Sequence, residues 1–291
     1  MKIKCFGSRA ITAQIDRIEE GFRHLGHAVL SGEGGSLESP EIVYCNDIGC
    51  ADAAWDYRKQ RNGNTLLIQT VLDIPVHLQN LDKIIEDINK KARRADIVCS
   101  ISKFVQGQLK DYLGLDSHVI YQPIKPVGYI RSSGREYKYL IVGRNRDPNK
   151  KHAEITLPAI WELENGFDNL YVVGEDIGYG NYLGNVTDEE LDIIYHNSEY
   201  IFTPSEIEGL CLPRIEGAIC GVKPICLSWD KVAREFFEPI IVGPSVKHVV
   251  DAIQSEEWNY AAECFVCDSK YMFSLQFNKI SIARNILNTI K

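Results

Sequence analysis

No stretch of this 291-residue sequence approaches the roughly 20 consecutive apolar residues that a bilayer-spanning helix requires. The opening residues MKIKCFGS carry no hydrophobic core of a secretory signal and run straight into a strand-like pattern, so a cytoplasmic protein with no integral membrane segment is expected. The nine cysteines are odd in number, scattered and mostly set in apolar runs, which points to buried free thiols in a reducing compartment rather than a disulfide framework. No second Cys pair or His pair at zinc spacing accompanies the lone CxxC at 264–267, so Cys264 and Cys267 read as plain strand or core residues. There is no D-x-D pair suited to holding a metal-bound diphosphate, and no metal or cofactor is expected. Excess positive charge is also missing. The net charge of -8 argues against a surface built to bind nucleic acid, whose affinity rests on Lys and Arg. Residues 1–130 are balanced at 16 Lys+Arg against 16 Asp+Glu, and residues 131–291 carry 16 against 24. A local basic patch in the first half therefore stays open.

What is present is an alternating α/β pattern, in a chain long enough for two domains. Residues 2–6 read as a strand ending at Gly7-Ser8. Residues 10–25 read as a helix with Ile11, Ile15, Ile18, Phe22 and Leu25 on one face, stopped by Gly26 before a strand at 27–30. Strand, glycine turn, helix, strand is the unit of a parallel sheet. Strands at 42–45, 65–70, 96–100 and 119–121, with helices at 81–92 and 103–113, continue it. The QPIKP stretch at 122–126 breaks the pattern, and a second series follows. Its strands are expected at 139–142, 170–173, 200–202, 224–227 and 240–242, and its helices at 153–164, 188–196, 213–219, 246–253 and 274–290. The expected division is an N-terminal Rossmann-like domain at 1–126, a linker at 127–137, a second Rossmann-like domain at 138–273, and a C-terminal helix in 274–291 turning back toward the first domain. Two such sheets facing each other leave a cleft, and open α/β sheets bind ligands beyond the carboxyl ends of their strands.

The segment TPSEIEGLCLPRIEGAICGVKPI, residues 203–225, follows the strand at 200–202. Glu208-Gly209 falls in the loop, and Pro213 suits the first turn of a helix. The amides of Gly209, Leu210, Cys211 and Leu212 would converge near the positive end of that helix, an anion site suited to a diphosphate. Glu216 lies about one turn in, where it could accept hydrogen bonds from ribose hydroxyls. Gly221 closes the helix and Pro224 prevents its continuation. A strand-loop-helix with merely solvated glutamates would look the same on geometry alone.

The segment closely resembles P-S-x-x-E-G-x-x-L-P-x-x-E, the E-x7-E signature of the retaining GT-B glycosyltransferases of group 1, which include sucrose-synthase-like enzymes. The two glutamates correspond to Glu208 and Glu216, and the C-G-x-x-P tail to Cys220, Gly221 and Pro224. LIVGR at 140–144 with Lys150-Lys151 resembles the family's V-G-R…K element, whose Arg and Lys neutralise the donor diphosphate. The spacing leaves Lys150 and Lys151 both eligible, with Lys150 favoured. Stretches at 171–174 and 183–191 resemble its nucleotide-side strands, placing Gly184 and Val186 near the base. Gly7-Ser8 matches the place where glycine backbone approaches the donor phosphates. The resemblance implies α/β GT-B architecture and metal-independent, retaining transfer of a hexose from a UDP- or GDP-sugar such as UDP-glucose, with Arg144, Lys150 and Glu208 as catalytic residues.

One departure stands out. Many members place a His before an Asp at the end of a middle strand, where it touches the donor sugar; QTVLD at 69–73 has Leu72 there. Asp73 is retained and His77 follows four residues later, as a substitute contact or a plain surface histidine. The acceptor is unidentified. RKQR at 58–61 and KKARR at 90–94 read as solvated helix faces or as contacts to an anionic acceptor, lipid phosphate or nucleic acid. An epimerase or hydrolase of the same architecture, or a non-catalytic nucleotide-sugar binder, is the alternative.

Overall fold

A computed structural model describes residues 1–7, 12–31, 40–61, 65–74, 80–124 and 135–290. They form two compact units, Met1–Lys125 with Leu275–Lys291, and Pro126–Ser274.

The first unit is built on six parallel strands, β1 (Lys2–Phe6), β2 (Ala28–Leu30), β3 (Ile42–Cys45), β4 (Leu66–Val71), β5 (Ile97–Ser100) and β6 (His118–Val119), in the order β2-β1-β3-β4-β5-β6. All four residues of β3, Ile-Val-Tyr-Cys, are buried, as expected of a central parallel strand covered on both faces. Its helices are α1 (Thr12–His24), α2 (Ala51–Gln60), α3 (Leu81–Ala92) and α4 (Lys103–Leu113). Ser102 caps α4 by accepting from the Val105 amide at 3.1 Å, and Gly114 ends it at φ +62°.

The second unit holds β7 (Tyr137–Gly143), β8 (Leu170–Gly174), β9 (Asn181–Gly184), β10 (Ser198–Phe202) and β11 (Lys223–Ile225), parallel and ordered β11-β10-β7-β8-β9. Its helices are α5 (Leu157–Glu164), α6 (Asp188–His196), α7 (Leu212–Ile219), α8 (Lys231–Phe237), α9 (Val246–Gln254) and α10 (Glu256–Gln276). Alternation along the strands separates two cores. Tyr139, Ile141, Leu170 and Val172 pack with Ile160 of α5 and Val249 and Ile253 of α9. Leu140 and Val173 pack with Ile194 and Tyr195 of α6 on the opposite face.

α11 (Lys279–Asn288) completes the first unit, where Ile282, Ala283 and Ile286 join Ile15, Ile18 and Phe22 of α1. The two helices meet at Gly21, where an added Cβ would lie 2.3 Å from the Lys279 carbonyl oxygen. Only glycine permits that approach.

Several elements depart from expectation. Residues 274–290 are the last turn of α10 followed by α11, the latter opened by Asn278 accepting from the Ile280 amide at 2.8 Å. α10 buries only Ala262, Val266 and Phe273, too sparse a stripe to give a clear helical period. Residues 240–242 form no strand; Ile240 closes a short 3-10 turn and a single bridge pairs Leu227 with Val242. Cys264 and Cys267, read as core residues, are exposed on α10. Helix 153–164 starts as a π turn, His152–Thr156, entered through Lys151 at φ +51°. The linker falls mostly within 125–134, outside the described residues, as do Ser8 and His77. Among the described residues no helix is long and apolar enough to cross a membrane.

The two basic stretches are laced with acids. Arg58 bonds Asp96 at 2.8 Å, Lys59 Asp56 at 2.8 Å, Lys91 Asp87 at 2.8 Å, and Arg94 pairs with Asp52. Much of their charge is thus met by neighbouring side chains.

Candidate active site

The strand order of the second unit reverses between β7 and β10, which pair in register through Tyr139 with Tyr200 and Leu140 with Ile201. Such a switch point leaves a crevice beyond the strand ends, because the connections leave in opposite directions. The loops entering it are those after Gly143 and after Phe202.

The first loop carries Arg144, exposed, and continues through a 3-10 turn, Pro148–Lys150, capped by Asp147 accepting from the Asn149 amide at 2.9 Å. Asn149 is buried and ties the two loops together. Its Oδ1 accepts from the Ile207 amide at 2.9 Å, its backbone oxygen accepts from the Glu206 amide at 2.9 Å, and its Nδ2 donates to the Ile207 carbonyl. Lys150 then reaches across to donate to Glu208 Oε1, which also accepts from Ser205 Oγ at 2.7 Å. Lys151 turns to Glu206 instead, at 3.2 Å. Burial works against the charge on Lys150, but the adjoining Cys211 sulfur and Glu208 carboxylate outweigh it and hold the ammonium above its usual range. It is therefore charged throughout the neutral range.

α7 begins beyond Cys211, which sits at φ +58°. Among the described residues, none of the amides of Gly209, Leu210 and Cys211 donates to a protein acceptor. Leu210 and Cys211 are buried while Leu212 and Pro213 are partly open. The start of α7 is anchored by Arg214, fully buried. Its guanidinium donates to Thr203 Oγ1 at 2.8 Å, to the Thr203 carbonyl at 3.1 Å and to Asp230, and stands 5.9 Å over the Phe237 ring. Asp230 in turn caps α8, accepting from the amides of Val232 and Ala233 at 2.9 and 3.0 Å.

One turn into α7, Glu216 accepts from Tyr195 Oη at 3.3 Å. At the end of α7 the Cys220 thiol approaches Asp192 Oδ1 at 3.8 Å, a second tie between α7 and α6; within α6, His196 Nδ1 lies 2.8 Å from the Asp192 carbonyl. Gly184 ends β9 at φ +80°, and Val186 packs against the same cluster as Tyr195. Lys150, Glu208 and the amides before α7 are thus brought together, with Arg144 on the adjoining loop and Glu216 and Val186 on the α6 side. Gly7 and Asp73 belong to the first unit. Gly7 follows β1, where a Cβ would lie 2.8 Å from Ile15, so helix packing alone already requires glycine there. Asp73 is exposed beyond β4. The sequence does not single out Asn149, Arg214 or Asp230; Asn149 sits in a polar run, and each takes its role from partners elsewhere in the chain or beyond its own helix.

His152 is buried against Thr156 Oγ1 at 3.0 Å, and burial, with the charge of Lys150, drives its pKa from 6.5 down to about 3. Below pH 6.5 the unfolded chain takes up a proton that the folded chain refuses, so stability falls as pH drops, by about 1.4 kcal/mol per pH unit. His152→Gln should flatten the acid limb of a denaturation midpoint series between pH 6.5 and 4.5. Equal slopes would contradict the burial account.

Two parallel α/β units on one chain, each with a switch-point crevice, define the GT-B fold. Sucrose-phosphate synthase of Thermosynechococcus elongatus is similar at a TM-score of 0.76 and 14% identity, over 100% of this chain and 98% of that one. Anabaena HepE, crystallised with UDP and glucose, gives 0.74 and 14%, over 100% and 99%. The lipopolysaccharide outer core galactosyltransferase WaaB, in its apo form, gives 0.64 and 14%, over 100% and 99%. In sequence, the O-antigen chain mannosyltransferase B of Escherichia coli is 30% identical over 91 residues, which span 29% of this chain and 24% of that protein. No protein-family model matches the sequence.

Proposed function

We propose that this protein is a metal-independent, retaining glycosyltransferase that moves a hexose from a UDP- or GDP-sugar to an acceptor hydroxyl. The observation that carries the reading is the meeting of Lys150 and Glu208 beside the open amides at the start of α7, at a strand switch point. Departure of a nucleoside diphosphate builds negative charge, and a fixed ammonium, a guanidinium and oriented amides stabilise it without reorganising. In this assignment Arg144, Lys150 and the amides of Gly209, Leu210, Cys211 and Leu212 hold the diphosphate. Glu216 holds the ribose from its place against Tyr195, Gly184 and Val186 border the base, and Glu208 lies by the sugar. Fixed cations take the part a metal would play. Anabaena HepE, of the same fold, is known in complexes with UDP and with UDP-glucose, which supports a UDP donor.

Calorimetry with UDP, GDP and UDP-glucose, followed by a transfer assay in EDTA with NMR of the product's anomeric centre, tests the reading. Nucleoside diphosphate binding, acceptor-dependent release of the diphosphate in EDTA and a product of unchanged anomeric configuration are expected. Absence of binding to every nucleoside diphosphate would overturn the donor assignment. An inverted product would overturn retention. Leu72 in the place of the family's sugar-contacting His favours a second reading, a binder without turnover, for which binding without transfer would speak.

A further inference from the structure

The loop after β7 borders a second space. A cavity of about 400 Å³ opens between this loop, the π turn and the loop after β8. Its Leu157 and Ile177 belong to the core face shared with α5 and α9, whereas Val186 and Tyr195 pack on the opposite face of the sheet. The cavity is therefore separate from the residues assigned to base and ribose.

Asn145 lines it, at 4% exposure. Both N–H groups of its amide are used, donating to the carbonyls of Val173 at 2.9 Å and Glu175 at 3.0 Å, which fixes the orientation of the side chain. A flipped amide would set its oxygen against two carbonyl oxygens. Oδ1 is left buried with no hydrogen-bond partner. A buried acceptor without a donor costs about 1–3 kcal/mol and is rare in native proteins, and a ligand hydroxyl or N–H would satisfy it on a small side-chain shift that opens Oδ1 to the cavity.

The charged lining cancels: Arg146 and Lys151 stand against Asp147 and Glu154. His152, which also lines the cavity, stays neutral above its depressed pKa. A phosphate or carboxylate would meet two carboxylates as well as two cations, so the lining suits a neutral, hydroxyl-rich molecule. At the rim, half-exposed Tyr179 begins an aromatic strip, with Phe167 at 5.0 Å from it and Trp161 5.6 Å further on, the last also half-exposed. Sugars present an apolar C–H face to such rings and hydroxyls to such polar edges. The volume lies within the range of small-ligand sites.

We propose that this cavity binds one neutral sugar unit of a glycan, and that the strip through Tyr179, Phe167 and Trp161 receives the neighbouring units. The site would hold a glycan on the donor-binding unit, along the same loop that carries Arg144 and Lys150 but apart from the residues assigned to base and ribose, and its chemistry stands whether or not transfer is shown.

Saturation-transfer NMR on the full chain tests it, with methyl α-glucoside, methyl α-mannoside and maltotriose as probes and UDP affinity measured in parallel. Transfer to sugar ring protons is expected to persist at saturating UDP. Tyr179→Ala and Trp161→Ala, both at exposed positions, are expected to weaken maltotriose by about tenfold and leave UDP affinity unchanged. No transfer to any of the three probes, loss of transfer on adding UDP or uridine, or full affinity in both variants would overturn the proposal. Because UDP affinity is read separately, failure of this site is distinguishable from failure of the donor assignment.

Discussion

Replacing Lys150 by methionine is expected to lower kcat/KM for transfer on the order of 10²–10³-fold, the range seen when one fixed donor to a developing anion is removed. The ammonium is held at the strand switch point by Glu208, and it is charged at any neutral pH because the Glu208 carboxylate in contact with it offsets its burial. Methionine keeps most of the packing and deletes the charge. Glu208 retains the Ser205 hydroxyl at 2.7 Å, so the fold should survive with a modest loss of stability. UDP affinity should fall along with turnover, since in the proposed assignment the same charge meets the diphosphate in the ground state. Lys151→Met is the control: Lys151 faces Glu206, and its loss should leave transfer within a few-fold of the parent. Equal effects of the two substitutions would refute the assignment of Lys150.

Arg214→Leu is expected to destabilise the second unit by about 3–5 kcal/mol, the usual result of removing one partner of a buried ion pair. Arg214 and Asp230 are each 1% exposed in their side chains, so the carboxylate left behind has no access to water. The change also strips donors from Thr203 Oγ1 and from the Thr203 carbonyl, at the point where β10 gives way to the loop carrying Glu208. Adding Asp230→Asn should recover part of the loss. The neutral side chain can still accept from the Val232 and Ala233 amides and cap α8. Denaturant midpoints of the single and double variants measure this directly. A single variant as stable as the parent would show the pair to be dispensable.

Why some of this was legible and some was not can be seen residue by residue. Helix 81–92, helix 103–113 and helix 188–196 coincide with α3, α4 and α6: side-chain caps at Ser102 and Thr187 open α4 and α6, while α3 has no side-chain cap and is legible from Ile84, Ile88 and Ala92 at helical spacing. α6 opens on a full capping box between Thr187 and Glu190, a purely local interaction written three residues apart. α10 escaped because most of its surface is exposed and its few buried residues give no period. At the site, Glu208 and Glu216 could be singled out by their spacing within one loop and helix. Asn149 could not, since its partners Glu206 and Ile207 lie more than fifty residues away in the chain. Asn145 could not either, since its two carbonyls, on β8 and the loop beyond, lie 28 and 30 residues away.

By itself, then, the sequence determined the alternation of strands and helices, the two-part organisation and the positions where glycine and proline mark the start and end of α7. Those are local properties, set by backbone propensity, capping and side-chain period. The tertiary structure decided which of Lys150 and Lys151 meets Glu208, what anchors α7, and that Asn145, at the lining of a cavity, keeps a buried oxygen without a partner. Those outcomes depend on which strand ends become neighbours in the sheet, and parallel pairing joins segments whose separation in the chain carries no local signal.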